Sequence, residues 1–153
     1  MRFAGLRAVV FDLDDTLYPE RDYTRSGARA VAAALGRPGA LDELLAIEQD
    51  APQAPLYSVW LTQEGLDDAM LPELLRIHRG HAPTLALAPE VRGALERLRT
   101  RFRLGLVSDG RLEQQRAKAE ALGLAALVDV LVFSDELGRE RWKPAPTPYW
   151  KAL

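Results

Sequence analysis

Apolar runs and amphipathic stripes alternate along this chain, and their order predicts strand, helix, strand, helix, strand, with a helical block set in after the first strand. Arg7 to Leu13 is short, continuously apolar at Ala8-Val9-Val10 and rich in Val and Phe, the composition of a strand covered on both faces. From about Pro19 to His81 the period becomes helical. Tyr23, Gly27, Val31 and Leu35 recur at near-helical spacing with Gly36 as a stop. Leu41, Leu44, Leu45 and Glu48 start another amphipathic turn, which Pro52 and Pro55 break. A further helix is predicted from Asp67 through Leu71, Leu74, Leu75 and Ile77 to His81, and Pro83 to Pro89 reads as a returning linker.

After the return, Pro89 suits a first helical position, and Val91, Leu95, Leu98 and Phe102 form a buried stripe with Arg92, Glu96, Arg97 and Arg99 in water. A second strand is predicted at Arg103 to Val107, a turn at Ser108-Asp109-Gly110, a helix from Leu112 to Leu122 ending on Gly123, and a third strand at Val130 to Phe133. This order implies an α/β fold: a parallel sheet of three visible strands, right-handed crossovers, and helices on both faces. The α/β core then comprises residues 1–18 and 87–153, and residues 19–86 are an inserted helical domain.

In such sheets ligands bind where the strands' carboxyl ends meet the loops. Asp12 and Asp14, Ser108, and the loop carrying Lys143 all fall at that edge, although they are far apart in the chain. Two acids two positions apart at the end of a buried strand are costly unless a cation lies between them, which makes Asp12-Leu13-Asp14 a candidate metal and phosphate site. Each piece has a plainer reading. An isolated Asp-x-Asp caps a turn, a lone Ser108 is a helix N-cap, and a lone Lys143 is a solvated lysine. Their joint order is what lifts them.

Composition narrows the partners. The 153 residues are 48% hydrophobic and 27% charged with a net charge of -2, an ordinary globular balance that gives no electrostatic reason to expect nucleic acid or an anionic membrane. The chain has no cysteine, which removes disulfides and thiol nucleophiles. Neither a signal-like apolar stretch nor a membrane span is present in the sequence, so a cytoplasmic protein is expected.

Taken together, Asp12-Leu13-Asp14-Asp15-Thr16, Ser108 and Lys143 in a Lys-Pro-Ala-Pro setting resemble the haloacid dehalogenase superfamily of phosphatases and phosphotransferases, whose pattern is DxDxT, then Ser or Thr, then Lys, then an acidic motif. The resemblance implies a Rossmann-like core with a helical cap, Mg²⁺ as cofactor, and a small phosphorylated metabolite as substrate. Asp12 is then the nucleophile that forms an aspartyl-phosphate, and Asp14 the acid that protonates the leaving oxygen and deprotonates the attacking water. Asp12 and Asp14 would hold the metal, Asp14 through its backbone carbonyl. Ser108, Lys143 and the backbone N–H groups of Asp109 and Gly110 would bind the phosphate. Two carboxylates against a phosphate dianion make cations compulsory, since like charges at ~4 Å repel by several kcal/mol at intermediate dielectric. The family's dehalogenases lack the second acid, so Asp14 favours phosphate esters over carbon–halogen bonds.

One implied motif is missing. Only ten residues follow Lys143, too few for a crossover helix and a fourth strand, so the fourth acidic motif is not expected here. A shortened chain, a homodimer contact or partner segment covering the open edge of strand one, and a non-catalytic binding or regulatory module are the competing expectations. Other residues stay on the structural side. Asp15 is expected in solvent or a turn bond. His78 and His81 are expected at the surface or a cap interface, and Trp60, Trp142 and Trp150 as core or interface aromatics. Tyr18, Arg21 and Arg25 are secondary candidates for contacting the substrate's non-phosphate part.

Overall fold

The computed structural model describes residues 5–153; residues 1–4, the start of the segment assigned to the core, lie outside the described residues. Two compact units emerge, one of Met1–Pro19 with Leu85–Leu153 and the other of Glu20–Thr84.

The first unit is built on a parallel sheet in the order β1 (Ala8–Phe11), β2 (Arg103–Ser108), β3 (Val130–Phe133). Register aligns Phe11 with Leu106 and Ser108 with Phe133, so all three strands point the same way and end near one edge. Central β2 is buried from Leu104 to Ser108, whereas β1 is half-buried throughout. Burial of each large aliphatic side chain in β2 contributes about 1.5–3 kcal/mol, so this strand anchors the unit. Helices α5 (Pro89–Arg99), α6 (Leu112–Ala121) and α7 (Thr147–Ala152) pack around the sheet. Gly105 exists on the α7 side because a Cβ there would lie 3.3 Å from the Ala152 carbonyl oxygen.

The predicted first strand is longer than the observed one. Hydrogen-bonded pairing ends at Phe11, and Leu13, fully buried, instead starts a turn in which Thr16 and Leu17 N–H groups donate to its carbonyl at 3.3 and 3.0 Å. Asp15 closes that turn at φ 54°, a left-handed conformation that Asp tolerates better than most residues.

The second unit is helical: α1 (Glu20–Leu35), α2 (Ala40–Asp50), α3 (Leu56–Gln63) and α4 (Leu71–Gly80) enclose a core containing Val31, Leu44, Trp60, Leu61 and Leu74. Helix α3 is not foreseen by the sequence reading. Pro55, a breaker of the preceding pattern, sits just before its first residue, where a missing N–H costs the helix nothing. The predicted Asp67–His81 helix divides into a 3₁₀ turn at Asp68–Met70, capped by the Asp67 carboxylate, followed by α4.

Trp60 belongs to the core, and its Nε1 donates to Glu43 at 2.9 Å; Trp150 is exposed rather than core. Arg25 is taken up within this unit by buried Glu48 at 2.7 Å. His78 and His81 are half-buried and hydrogen-bonded, His78 Nδ1 to the Tyr57 hydroxyl at 2.7 Å and His81 Nε2 to Ser26 Oγ at 2.9 Å. No helix among the described residues is long and apolar enough to cross a membrane.

Candidate active site

Asp12 is the first residue beyond β1, so the strand delivers its carboxylate to the carboxyl edge of the sheet; Ser108 ends β2 at the same edge. The Asp12 side chain is 45% exposed. Its Oδ1 accepts from the Leu13 N–H at 2.8 Å and from Lys143 Nζ at 2.6 Å, leaving Oδ2 without a hydrogen bond among the described residues. Lys143 is held in turn: its backbone N–H donates to Asp109 Oδ2 at 3.0 Å, and its Nζ lies 3.5 Å from the Val107 carbonyl oxygen. The second and third motifs are thereby tied together, and the third is brought onto the first.

Asp14 faces a different set of donors. Its Oδ1 accepts from the Tyr18 hydroxyl at 2.6 Å and from Lys118 Nζ at 2.8 Å, and its Oδ2 accepts from Gln115 Nε2 at 2.8 Å. Burial alone pushes this carboxyl group up. The hydrogen bonds from Lys118, Tyr18 and Gln115, with the lysine's charge, outweigh it and hold the group below its ordinary value of 3.8. Asp14 therefore rests as an anion. Each of the two neighbouring acids carries its own lysine, so the mutual repulsion expected from the sequence is met by the chain itself.

Gln115 joins Asp14 to the second motif. Its Nε2 lies 2.6 Å from Ser108 Oγ and 3.0 Å from the Asp109 carbonyl oxygen as well as 2.8 Å from Asp14, three acceptors for two hydrogens. Gly110 makes this approach feasible: at φ 125° it adopts a conformation that favours glycine, and a Cβ there would lie 3.1 Å from Gln115 Cδ. Ser108 is only 1% exposed and accepts from Gln115, while its own hydroxyl hydrogen finds at best a long 3.5 Å contact with the Asp109 carbonyl. The hydroxyl hydrogen is thus uncommitted while its oxygen accepts from Gln115, although the side chain is buried.

The structure thus brings Asp12 to Lys143 directly, and Asp14 to Ser108 through Gln115. Asp109 and Gly110 form the turn leading into α6, but the Leu112 N–H in its first turn is already taken by Asp135 Oδ2 at 3.2 Å. Tyr18 is a donor to Asp14 rather than an exposed substrate contact. Gln115 and Lys118 escape the sequence reading: with Ala119 and, just past the end of α6, Leu122 they form one buried stripe that only the burial reveals.

Metal chemistry is constrained by the same geometry. Among the described residues no group of three His, Cys, Asp or Glu side chains could hold a metal ion. The Asp14 carboxylate is consumed by its donors, so the expectation that both side chains face one cation reduces to the Asp12 carboxylate and the Asp14 backbone carbonyl. This donor set is all oxygen, and it suits a hard cation such as Mg²⁺, which binds through one or two carboxylates and completes its shell with water and phosphate.

A search of functionally curated proteins returned no match. Among solved structures, a candidate beta-phosphoglucomutase from Thermotoga maritima is 26% identical with a TM-score of 0.59, the match covering 97% of this chain and 69% of that one. A subfamily IA HAD-superfamily hydrolase from Geobacter sulfurreducens is 17% identical with a TM-score of 0.66, over 97% and 71% of the two chains. A candidate HAD-hydrolase from Bacillus subtilis, described as bound to magnesium, is 18% identical with a TM-score of 0.61, over 87% and 65%. The chain thus spans about two thirds of the length of these structures. The haloacid dehalogenase-like hydrolase family model matches residues 6–153, and with the parallel sheet and strand-end motifs described above it makes this chain a member of that family.

Proposed function

We propose that the protein is a phosphoric monoester hydrolase acting on a small phosphorylated metabolite through an aspartyl-phosphate, with Asp12 as nucleophile. One observation carries the reading: an exposed carboxylate at the end of β1, one oxygen locked to Lys143 Nζ at 2.6 Å and the other open. Lys143 orients that group and offsets the charge that accumulates as phosphate approaches. Asp12 Oδ2 attacks phosphorus, the ester oxygen leaves and takes a proton, and water then cleaves the acyl phosphate to return Asp12 and release phosphate. Asp14, an anion at rest, would take up a proton from water once its carboxylate is released from at least one of its three donors, pass it to the leaving oxygen, and regain one from the attacking water. Mg²⁺, held by the Asp12 carboxylate and the Asp14 carbonyl, would add electrostatic stabilisation of the phosphoryl oxygens. The helical unit, inserted between the first two motifs, would act as a cap that excludes water and bulky substrates.

A second reading is favoured by the firm hold on Asp14: a family member that binds phosphorylated ligands without turnover. Hydrolysis of p-nitrophenyl phosphate separates the two. The hydrolase reading expects Mg²⁺-stimulated turnover that falls at least ~10³-fold in Asp12→Asn, on the scale seen when a catalytic nucleophile is removed. Equal rates with and without Mg²⁺, or an undiminished Asp12→Asn variant, would overturn it. Stabilisation by phosphate with no turnover supports the binding module.

A further inference from the structure

The far end of the sheet carries a charge cluster that the candidate chemistry does not use. Arg7 precedes β1 and Arg103 opens β2, the Arg103 N–H donating to the Arg7 carbonyl at 3.0 Å. Arg99 ends α5, and Arg101 lies in the turn between α5 and β2. These four arginines, with Phe102 and Asp129, line a surface concavity of about 370 Å³. Asp12 lies five positions after Arg7, roughly 16 Å along an extended strand, so the concavity and the candidate active site occupy opposite ends of β1.

Charge within the concavity is unbalanced. Asp129 is the only acid among the described residues that line it: one oxygen accepts the Leu104 N–H at 2.8 Å and the other lies 3.6 Å from Arg99, whose remaining arm donates to the Ala126 carbonyl. Arg7, Arg101 and Arg103 have no carboxylate partner among the described residues; several other surface arginines share that state, and what sets these three apart is that they line one concavity together with Arg99. A helix C-terminus accounts for Arg99, since cations are favoured there, but not for the other three. Three guanidiniums without a carboxylate, Arg101 packed over the Phe102 ring at 5.4 Å, surround one open hollow and repel one another, and their planar forks match phosphate oxygens two at a time. The volume falls within the range of small-ligand sites, about 300–1,000 Å³.

We propose that this concavity is a binding site for a small oligophosphate anion of the diphosphate class, separate from the candidate active site and independent of the reading given for it. Calorimetric titration with pyrophosphate in metal-free buffer tests it, using the wild-type protein, Asp12→Asn, and an Arg101→Ala/Arg103→Ala double variant. The expected result is binding that persists in Asp12→Asn, weakens at least tenfold in the double variant, and declines with added salt. The two arginines are exposed, so folding should survive; Arg7→Ala provides the same test should the double variant fail to fold. Absence of pyrophosphate binding, unchanged affinity in the arginine variants, or loss of binding in Asp12→Asn would each overturn the assignment. So would arginine-dependent binding of a single-stranded oligonucleotide without binding of pyrophosphate.

Discussion

The two units use their polar side chains in different ways. In the helical unit such groups are consumed locally: Arg25 by Glu48, His81 by Ser26, His78 by Tyr57, Trp60 by Glu43. In the α/β unit, residues distant in sequence are drawn to one sheet edge, and an exposed carboxylate is left with one oxygen open. Pairing of the first kind stabilises a fold; convergence of the second kind, with an open acceptor, is what chemistry on a ligand requires. Breaking contacts in the helical unit should therefore change stability alone, and in the α/β unit it should change activity as well.

After Asp12, the largest effect is expected from Lys143. Lys143→Ala removes the cation at 2.6 Å from Asp12 and should lower kcat about 10²–10³-fold, the scale for losing one preorganised charge-stabilising donor. Both side chains are partly exposed, so the urea midpoint should barely move. A loss of stability without loss of rate would make Lys143 a structural residue and erase the contrast between the units.

Lys118→Met tests the same edge from behind. Lys118 is 5% exposed and bonded to Asp14, so replacement leaves a carboxylate short of its main donor and should cost about 1–3 kcal/mol, the range for hydrogen bonds to charged groups. The lowered Asp14 value sets the pH dependence. Its stabilising contribution is fully present above 3.8 and is lost as pH falls through the lower folded-state value. Lys118→Met should flatten that acid limb in urea denaturation measured at several pH values, and an unaltered limb would show that Lys118 does not set the Asp14 equilibrium.

How much of this was legible follows from what each residue does locally. Strands β1, β2 and β3 are continuous apolar runs, and Asp12, Ser108 and Lys143 stand at breaks in pattern, so they are visible without coordinates. Gln115 and Lys118 lie inside a regular helix among other polar residues, and only the buried environment distinguishes them from solvated neighbours. Helix α3 was hidden because proline breaks one helix and precedes another with equal ease. The destination of Asp14 was also hidden: alternation along a strand predicts facing only while the chain stays extended, and pairing ends at Phe11.

Within the helical unit the largest test is Gly27. A Cβ at this position would lie 2.2 Å from His78 Nδ1, so the ring of α4 packs directly on the α1 backbone. Two effects oppose in Gly27→Ala: alanine gains about 1 kcal/mol of helix propensity, and overpacking costs about 1–3 kcal/mol. The ring cannot swing away without losing its 2.7 Å bond to Tyr57 and its edge contacts with Tyr23 and Tyr57, so the cost should win by about 1 kcal/mol or more. A lower urea midpoint is expected, and a raised one would mean that His78 is free to repack.

The smallest effect is expected at Arg76. Its guanidinium meets Glu73 through two short hydrogen bonds of 2.7 and 2.6 Å, one helical turn apart on α4, a geometry that in isolation suggests a strong pair. Both side chains are nevertheless exposed, and water and salt screen such pairs almost completely. Arg76→Ala should leave the thermal midpoint within scatter at physiological ionic strength. A clear drop would show that the helical unit draws stability from its surface charges as well as from its enclosed pairs, and would weaken the distinction between the two units where it is now sharpest.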